Sequence, residues 1–166
     1  MQTPLDIALV RVDNRLVHGQ ILEAWLPFLK ASCVIVVDDG VAADFFRETV
    51  IRMAVPREVE VLFSAVNEFP EKYAFHQGSG QKTIILLGTV HDALAIYRQG
   101  FRFPKLNIGN VYNEQCRICC TPYVLLSNED LRDISALHAE GVQIELRRVP
   151  REKPVEFYGI VQNVTS

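Results

Sequence analysis

Long apolar runs are scarce in this chain. The longest, such as Cys33-Val34-Ile35-Val36-Val37 and Ile84-Ile85-Leu86-Leu87, fall far short of the roughly 20 residues a helix needs to cross a bilayer. Residues 1–6 have neither the basic region nor the apolar core of a secretory signal. A cytoplasmic location is therefore expected, and the glycosylation acceptor at Asn163-Val164-Thr165 carries no meaning. A basic excess is also missing. Seventeen Lys plus Arg stand against 20 Asp plus Glu, a net charge of −3, and the basic residues are scattered, which argues against a nucleic-acid partner. Two nucleotide-binding devices are absent too: no Gly-rich fingerprint follows the first strand, and no G-x-x-x-x-G-K-[ST] occurs.

Cysteine is sparse. Cys33 opens a strand-like run and reads as a small buried hydrophobe. Cys116-Arg117-Ile118-Cys119-Cys120 holds one C-x-x-C, but a structural zinc site needs a second ligand pair and none stands nearby. Reduced, structurally neutral thiols are the simple reading; a redox or metal role is the alternative. No staple is needed, because 166 residues, 49% hydrophobic and 22% charged, suffice for one domain burying roughly two thirds of its unfolded surface.

What is present alternates regularly. Residues 5–12 form an apolar run, and Val17, Ile21, Leu22, Trp25, Leu26 and Leu29 then recur at helical spacing. Pro27 is expected to kink or shorten that helix's last turn. Cys33–Val37 reads as a strand and 41–54 as a helix with Phe45, Phe46, Val50 and Met53 on one face. Residues 59–63 read as a strand, Ser64 as the cap of a helix to residue 74, and 76–81 as a polar loop. Residues 83–87 are a strand, and Thr89 with Asp92 makes a capping box for a helix to Arg98. A strand over 104–108 precedes residues 110–122, read as irregular or as holding a short extended piece. A strand over 123–126, a helix capped by Ser127 and Asp130, and a strand over 142–149 follow, with a short turn or helix after Pro150. Strands alternating with helices, and apolar on both faces, specify a single-domain α/β fold with an open, mainly parallel sheet flanked by helices.

In such sheets ligands bind beyond the carboxyl ends of the strands. Loops 11–18, 38–40, 63–64 and 88–92 carry polar residues there, and the first is densest, with Arg11, Asp13, Asn14, Arg15 and His18 just before a helix. Helix N-termini attract anions, and the Arg fork matches phosphate oxygens. Positive charge nearby favours an unprotonated, nucleophilic imidazole nitrogen. On spacing alone, a solvated or structural cluster accounts for the same residues.

The stretch Arg11-Val12-Asp13-Asn14-Arg15-Leu16-Val17-His18-Gly19-Gln20, with Trp25 downstream, closely resembles the start of the IIB components of the mannose/fructose/sorbose family of the phosphoenolpyruvate-dependent sugar phosphotransferase system. The resemblance continues through Val36-Val37-Asp38-Asp39, residues 42–53, Leu106-Asn107-Ile108-Gly109-Asn110, and Gly141-Val142 leading to Arg147-Arg148-Val149-Pro150. It implies one IIB domain over residues 1–166 and a phosphohistidine–sugar phosphotransferase. His18 would accept a phosphoryl group on Nδ1 from a IIA component, then pass it to a sugar during uptake through the membrane components IIC and IID. The resemblance makes Arg11 and Arg15 candidate phosphate contacts; Asn14 is a further candidate contact and Gly19 a supporting residue. Asp13 repels phosphate, so it is expected to orient an Arg or a backbone turn. Phosphoryl transfer is mainly positioning and charge neutralisation, so no metal or cofactor is expected. His18 should sit in a shallow surface site, and the protein should associate peripherally with the permease.

Two features depart from the family pattern. Position 110 is Asn where a second Gly is common, and residues 112–120 are unusual in their three cysteines. The exposed aromatic and Cys-rich segment near Tyr112 could support a homodimer. Thr89, His91 and Asp92 either border the active loop or merely cap a helix. His76 and His138 need no function, and Trp25 reads as core or as an interface. Two other functions stay open: a regulatory phosphoacceptor without a dedicated permease, and a module that binds a phosphometabolite without chemistry.

Overall fold

The computed structural model describes residues 6–73, 80–112, 114 and 118–158. Its strands are β1 (Asp6–Asp13), β2 (Cys33–Val37), β3 (Glu60–Ser64), β4 (Lys82–Leu87), β5 (Lys105–Asn110), β6 (Ile118–Thr121), β7 (Val124–Leu126), β8 (Gln143–Leu146) and β9 (Val155–Glu156). Seven of them make one sheet in the order β3-β2-β4-β1-β5-β8-β9. All neighbours are parallel except β9, which pairs antiparallel with β8 at the edge.

Strand periodicity divides the core in two. Ile35, Val37, Ile85 and Leu87 pack on one face with Leu94 and Ile134, whereas Val34, Val36, Ile84 and Leu86 pack on the other with Ile21, Trp25 and Leu26. Both faces are covered, as a parallel sheet requires.

The helices are shorter and more broken than their periodicity predicts. Instead of one helix over 17–29, a π-helical segment (Gln20–Trp25) runs into α1 (Leu26–Leu29). The Leu26 N–H reaches back five residues to the Ile21 carbonyl, and Pro27, which has no N–H, follows at once. Lys30 ends the helix in the left-handed region at φ +53°. The expected helix over 41–54 divides into α2 (Asp39–Ala42) and α3 (Phe45–Ala54). Asp44 breaks it by accepting from the Phe46 and Arg47 N–H groups as the cap of α3. The apolar face of α3 points to solvent: Phe45, Phe46 and Met53 are each at least 75% exposed.

Of the helix expected up to residue 74, α4 (Phe69–Tyr73) forms among the described residues, which stop at 73 here. Ser64 ends β3 and donates to the Ala65 carbonyl rather than capping a helix. Thr89 caps α5 (Val90–Arg98) by accepting from the Asp92 N–H, and Ser127 with Asp130 completes a reciprocal capping box on α6 (Asn128–Ala139). β7 does not join the main sheet but forms a two-stranded antiparallel sheet with β6. The segment after Pro150 makes the expected turn at 150–151, adds the short strand β9, and is helical at 157–158. His76 and Cys116 lie outside the described residues.

β1 is the hinge of this topology. Its connection leads left, across β4 to β2, while β5 on its other side leads right, to β8. Crevices open at such points, beyond the carboxyl ends of the two diverging strands. The ends of β1 and β5 are Asp13 and Asn110.

Candidate functional site

Alternation along three neighbouring strands builds the floor of that crevice. Residues i and i+2 share a face, so Arg11 and Asp13 of β1 point to the Trp25 side of the sheet. Asn107 and Gly109 of β5 and Glu145 of β8 share it, opposite Leu106, Ile108, Ile144 and Leu146 in the other core. Arg11 and Asp13 are wholly buried, Asn107 is 1% exposed and Glu145 2%. Buried charges persist only when paired and hydrogen-bonded. Each of these is.

Above the floor the chain turns sharply. The Leu16 N–H bonds the Asp13 carbonyl at 2.9 Å, with Leu16 in the left-handed region at φ +58°. That conformation is costly for a branched residue; the burial of the Leu16 side chain, 5% exposed, offsets the strain and anchors the loop. The Asn14 N–H bonds the Asn110 carbonyl at 3.0 Å, and the Asn110 amide donates to Asn14 Oδ1 at 2.5 Å. Asn110, the departure noted in the sequence, thus ties β5 to the loop. Asn14 also donates to the Tyr112 carbonyl at 3.4 Å.

Asp13 gathers the donors. Its Oδ1 accepts from the Arg15 N–H and Nε, at 3.0 and 3.1 Å. Its Oδ2 accepts from Arg11 Nη2 and Arg15 Nη2, both at 3.1 Å, and from His18 Nε2 at 2.9 Å. Burial alone pushes this carboxyl up, but hydrogen bonds from His18 and Arg15 and the charge of Arg11 outweigh it and hold the pKa at about 2. An ionised carboxylate has no proton to give, so His18 Nε2 carries the hydrogen. Nδ1 is left with its lone pair, which receives the Gln20 N–H at 3.3 Å. Asp13, expected to orient an Arg or a backbone turn, touches both arginines, the Arg15 N–H and the His18 ring.

The two arginines differ. Arg15 keeps 42% of its side chain exposed and bonds Gln20 Oε1 at 3.0 Å. Arg11 is enclosed: Nη1 donates to Asn107 Oδ1 at 2.7 Å and to the Arg147 carbonyl at 2.8 Å. Its guanidinium lies 5.5 Å from the centre of the Trp25 ring, a cation–π distance. Trp25 donates through Nε1 to the Arg148 carbonyl at 2.8 Å and also faces Arg147 at 5.6 Å. Gly109 makes room for all this, because a Cβ there would stand 1.9 Å from Arg11 Nη2.

The loop brings His18, Asp13, Arg15 and Gln20 together, with Arg11 beneath and Asn14 on the β5 side. Gly19 is helical at φ −53° and a Cβ there would meet nothing within 4 Å, so neither backbone nor crowding demands glycine. His18 is 16% exposed, at the surface rather than in a closed cavity. A groove of about 560 Å³ lined by Gly19, Gln20, Glu23, Phe28 and Pro150 lies on one side. One of about 250 Å³ lined by Arg15, Val17, Phe46 and Arg47 lies on the other.

Gln20, Asn107, Gly109, Glu145 and Arg147 were not singled out from sequence as site residues. A signal existed: Asn107 and Glu145 are polar residues within strands, flanked by apolar neighbours, as Arg11 is in β1. The other polar loops do structural work. Asp38 caps α2 through Val41, and Asp39 accepts from the Val66 N–H. His91 stands 3.3 Å from Asp133 and is 67% exposed; with Glu129 the pair is close enough to hold a cation, on helices remote in sequence from the crevice. Cys33 is buried and its thiol is pushed up to about 11 by burial; Cys119 is exposed and Cys120 half-buried.

Residues 7–166 match the family model described as PTS system sorbose subfamily IIB component. The chain is 29% identical over 162 residues to the PTS system fructose-specific EIIB component of Bacillus subtilis, covering 98% of this chain and 99% of that protein. It is 25% identical over 158 residues to the PTS system mannose-specific EIIAB component of Escherichia coli, covering 95% of this chain and 49% of that longer protein. The crystal structure of the IIBSor domain of the sorbose permease from Klebsiella pneumoniae superposes with a TM-score of 0.87 at 28% identity, covering 96% and 98% of the two chains. Among the described residues, no helix is long and apolar enough to cross a membrane.

Proposed function

The chain belongs to the sorbose subfamily of IIB components of the sugar phosphotransferase system, and from that membership we propose a phosphocarrier cycle centred on His18. The donor is a phosphorylated IIA component, a partner type suggested by the relative whose name joins A and B units. The acceptor is a sugar presented by IIC and IID at the membrane.

The observation that carries this reading is the pair of contacts that define the ring: Nε2 on Asp13 at 2.9 Å and Nδ1 under the Gln20 N–H at 3.3 Å. In the first step the Nδ1 lone pair attacks phosphorus. The N–P bond of the donor breaks, and its electron pair returns to the donor imidazole. Nε2 keeps its proton throughout, and the positive charge that forms on the ring is met by the Asp13 carboxylate. In the second step a sugar hydroxyl attacks the same phosphorus, loses its proton to solvent or a permease base, and the Nδ1–P electron pair returns to His18.

Each neighbour then has a defined part. Arg15, half exposed beside the ring, neutralises the phosphoryl oxygens, as phosphoryl transfer requires. Asn14 borders the site from the β5 side. Arg11, enclosed by Asn107, Trp25 and the Arg147 carbonyl, acts on Asp13 rather than on phosphate. That narrows the role expected for it from the loop sequence.

The test is incubation with phosphoenolpyruvate, enzyme I, the histidine phosphocarrier protein and a cognate IIA. Acid-labile, base-stable phosphate on His18, located by mass spectrometry and lost in a folded His18→Ala variant, is the expected result. Label persisting in His18→Ala, or no label while a control IIB accepts phosphate from its own IIA, overturns the assignment.

A further inference from the structure

We infer that Asn107 is a positioning residue for His18: it aims Arg11 at Asp13, and so holds the proton on Nε2 and the lone pair on Nδ1. This deepens the phosphocarrier reading, although the tautomer can be measured without it.

Asn107 sits mid-strand in β5, 1% exposed, where an amide without partners is costly. Its Oδ1 accepts from Arg11 Nη1 at 2.7 Å. Its Nδ2 donates to Glu145 Oε1 at 3.1 Å and to the Arg147 carbonyl at 3.3 Å. A guanidinium only donates and a carboxylate only accepts. Between the two, a side chain must accept on one side and donate on the other, which an asparagine amide does and an apolar or acidic side chain of its size does not. Glu145 in turn meets Lys105 Nζ at 2.9 Å, so the amide is fixed from behind by a buried, neutralised carboxylate.

The consequence reaches the ring through one atom. With Nη1 held by Asn107 and the Arg147 carbonyl, Nη2 is directed at Asp13 Oδ2 at 3.1 Å. That is the oxygen on which His18 Nε2 rests. Without Asn107, Nη1 keeps only the Arg147 carbonyl, the guanidinium is less firmly aimed at Oδ2, and the competing Nδ1–H tautomer gains population. That tautomer has no lone pair on Nδ1; its lone pair lies on Nε2, against Asp13.

Nitrogen-15 NMR of the imidazole in histidine-labelled protein, with His18 assigned by its loss in His18→Gln, reads the tautomer directly. The unmodified protein should show Nε2–H. Asn107→Leu, similar in shape but without polar atoms, should lower the Nε2–H to Nδ1–H ratio by about tenfold, the effect of one charge-assisted hydrogen bond, and slow phosphoryl acceptance by a similar factor. Asn107→Asp keeps an acceptor for Arg11 but sets a second carboxylate against Glu145. It should cost more thermal stability yet keep the tautomer. If Asn107 is merely structural, tautomer and transfer will instead follow stability across the two variants, and the inference fails; it fails equally if folded Asn107→Leu keeps the wild-type tautomer. Should Asn107→Leu not fold, the unmodified protein decides. Slow solvent exchange of the Asn107 amide protons with Nε2–H on His18 supports the inference, and fast exchange or Nδ1–H overturns it. A tautomer that responds to Asn107→Leu in a protein that accepts no phosphate would remove the phosphocarrier reading and leave the positioning role standing.

Discussion

Asp13 illustrates how much one side chain can decide. Five donor groups converge on its two oxygens, and its pKa falls from 3.8 to about 2. A carboxyl whose folded pKa is depressed stabilises the protein above its unfolded pKa, and that contribution is lost as pH falls through the folded value. Here it should be present in full above about pH 4 and gone near pH 2, amounting to about 2 kcal/mol at 1.36 kcal/mol per unit. Urea melts of the wild type and Asp13→Ala between pH 2 and 7 should converge toward the acid end. Divergence there would contradict the assignment. For chemistry, Asp13→Asn is sharper. Its amide can donate to Nε2 and so favours the Nδ1–H tautomer, which should reduce phosphoryl acceptance by on the order of 10³ to 10⁴, as wrong-tautomer substitutions do elsewhere. Rates within tenfold of wild type would rule out the tautomer mechanism.

Elements set where such residues meet. β5 brings Asn107 and Gly109 to the face that Arg11 occupies, and a methyl group at 109 would stand 1.9 Å from Arg11 Nη2 and 2.0 Å from its Cζ. Arg11 is enclosed and cannot swing clear. Gly109→Ala should therefore cost about 1–3 kcal/mol, the range for overpacked cores, and slow phosphoryl acceptance as well. A calorimetric melt unchanged from wild type would show that the strand has room after all. α3 gives the opposite case. Phe45 and Met53 are 83% and 82% exposed, so Phe45→Ser or Met53→Gln should shift stability by no more than about 0.5 kcal/mol, despite the apolar character of the residues removed. Helical periodicity says that one side of residues 45–54 is apolar. It does not say which side meets the sheet, and the Asp44 cap restarts the helix with that side turned outward.

At the scale of the whole molecule, the site is held by bonds between distant parts of the chain. Arg11 reaches residues 96 and 136 positions away, and Trp25 reaches Arg148 across 123. The only tryptophan thus stands where β1, the first helical segment and the end of β8 meet. Its fluorescence should report the crevice, while far-UV circular dichroism reports the sheet and helices. Because crevice and sheet share β1, β5 and β8, the two urea transitions should coincide. An earlier fluorescence transition would mean that the crevice opens before the sheet does.

The sequence by itself determined the alternation of strands and helices, the two-sided burial of Cys33–Val37 and residues 84–87, the capping box at Ser127, and the loop holding Asp13, Arg15 and His18. All of these depend on neighbours a few residues apart, where periodicity and capping act. Only the tertiary structure decided that β1 and β5 diverge, that β9 closes the edge antiparallel, that Asn110 ties to Asn14, and that Asn107 and Glu145 stand behind Arg11. Strand order is set by which apolar faces bury best against one another. A buried guanidinium takes its partners from whichever strands that order places beside it, so residues nearly 100 or more positions apart become neighbours without any local pattern joining them.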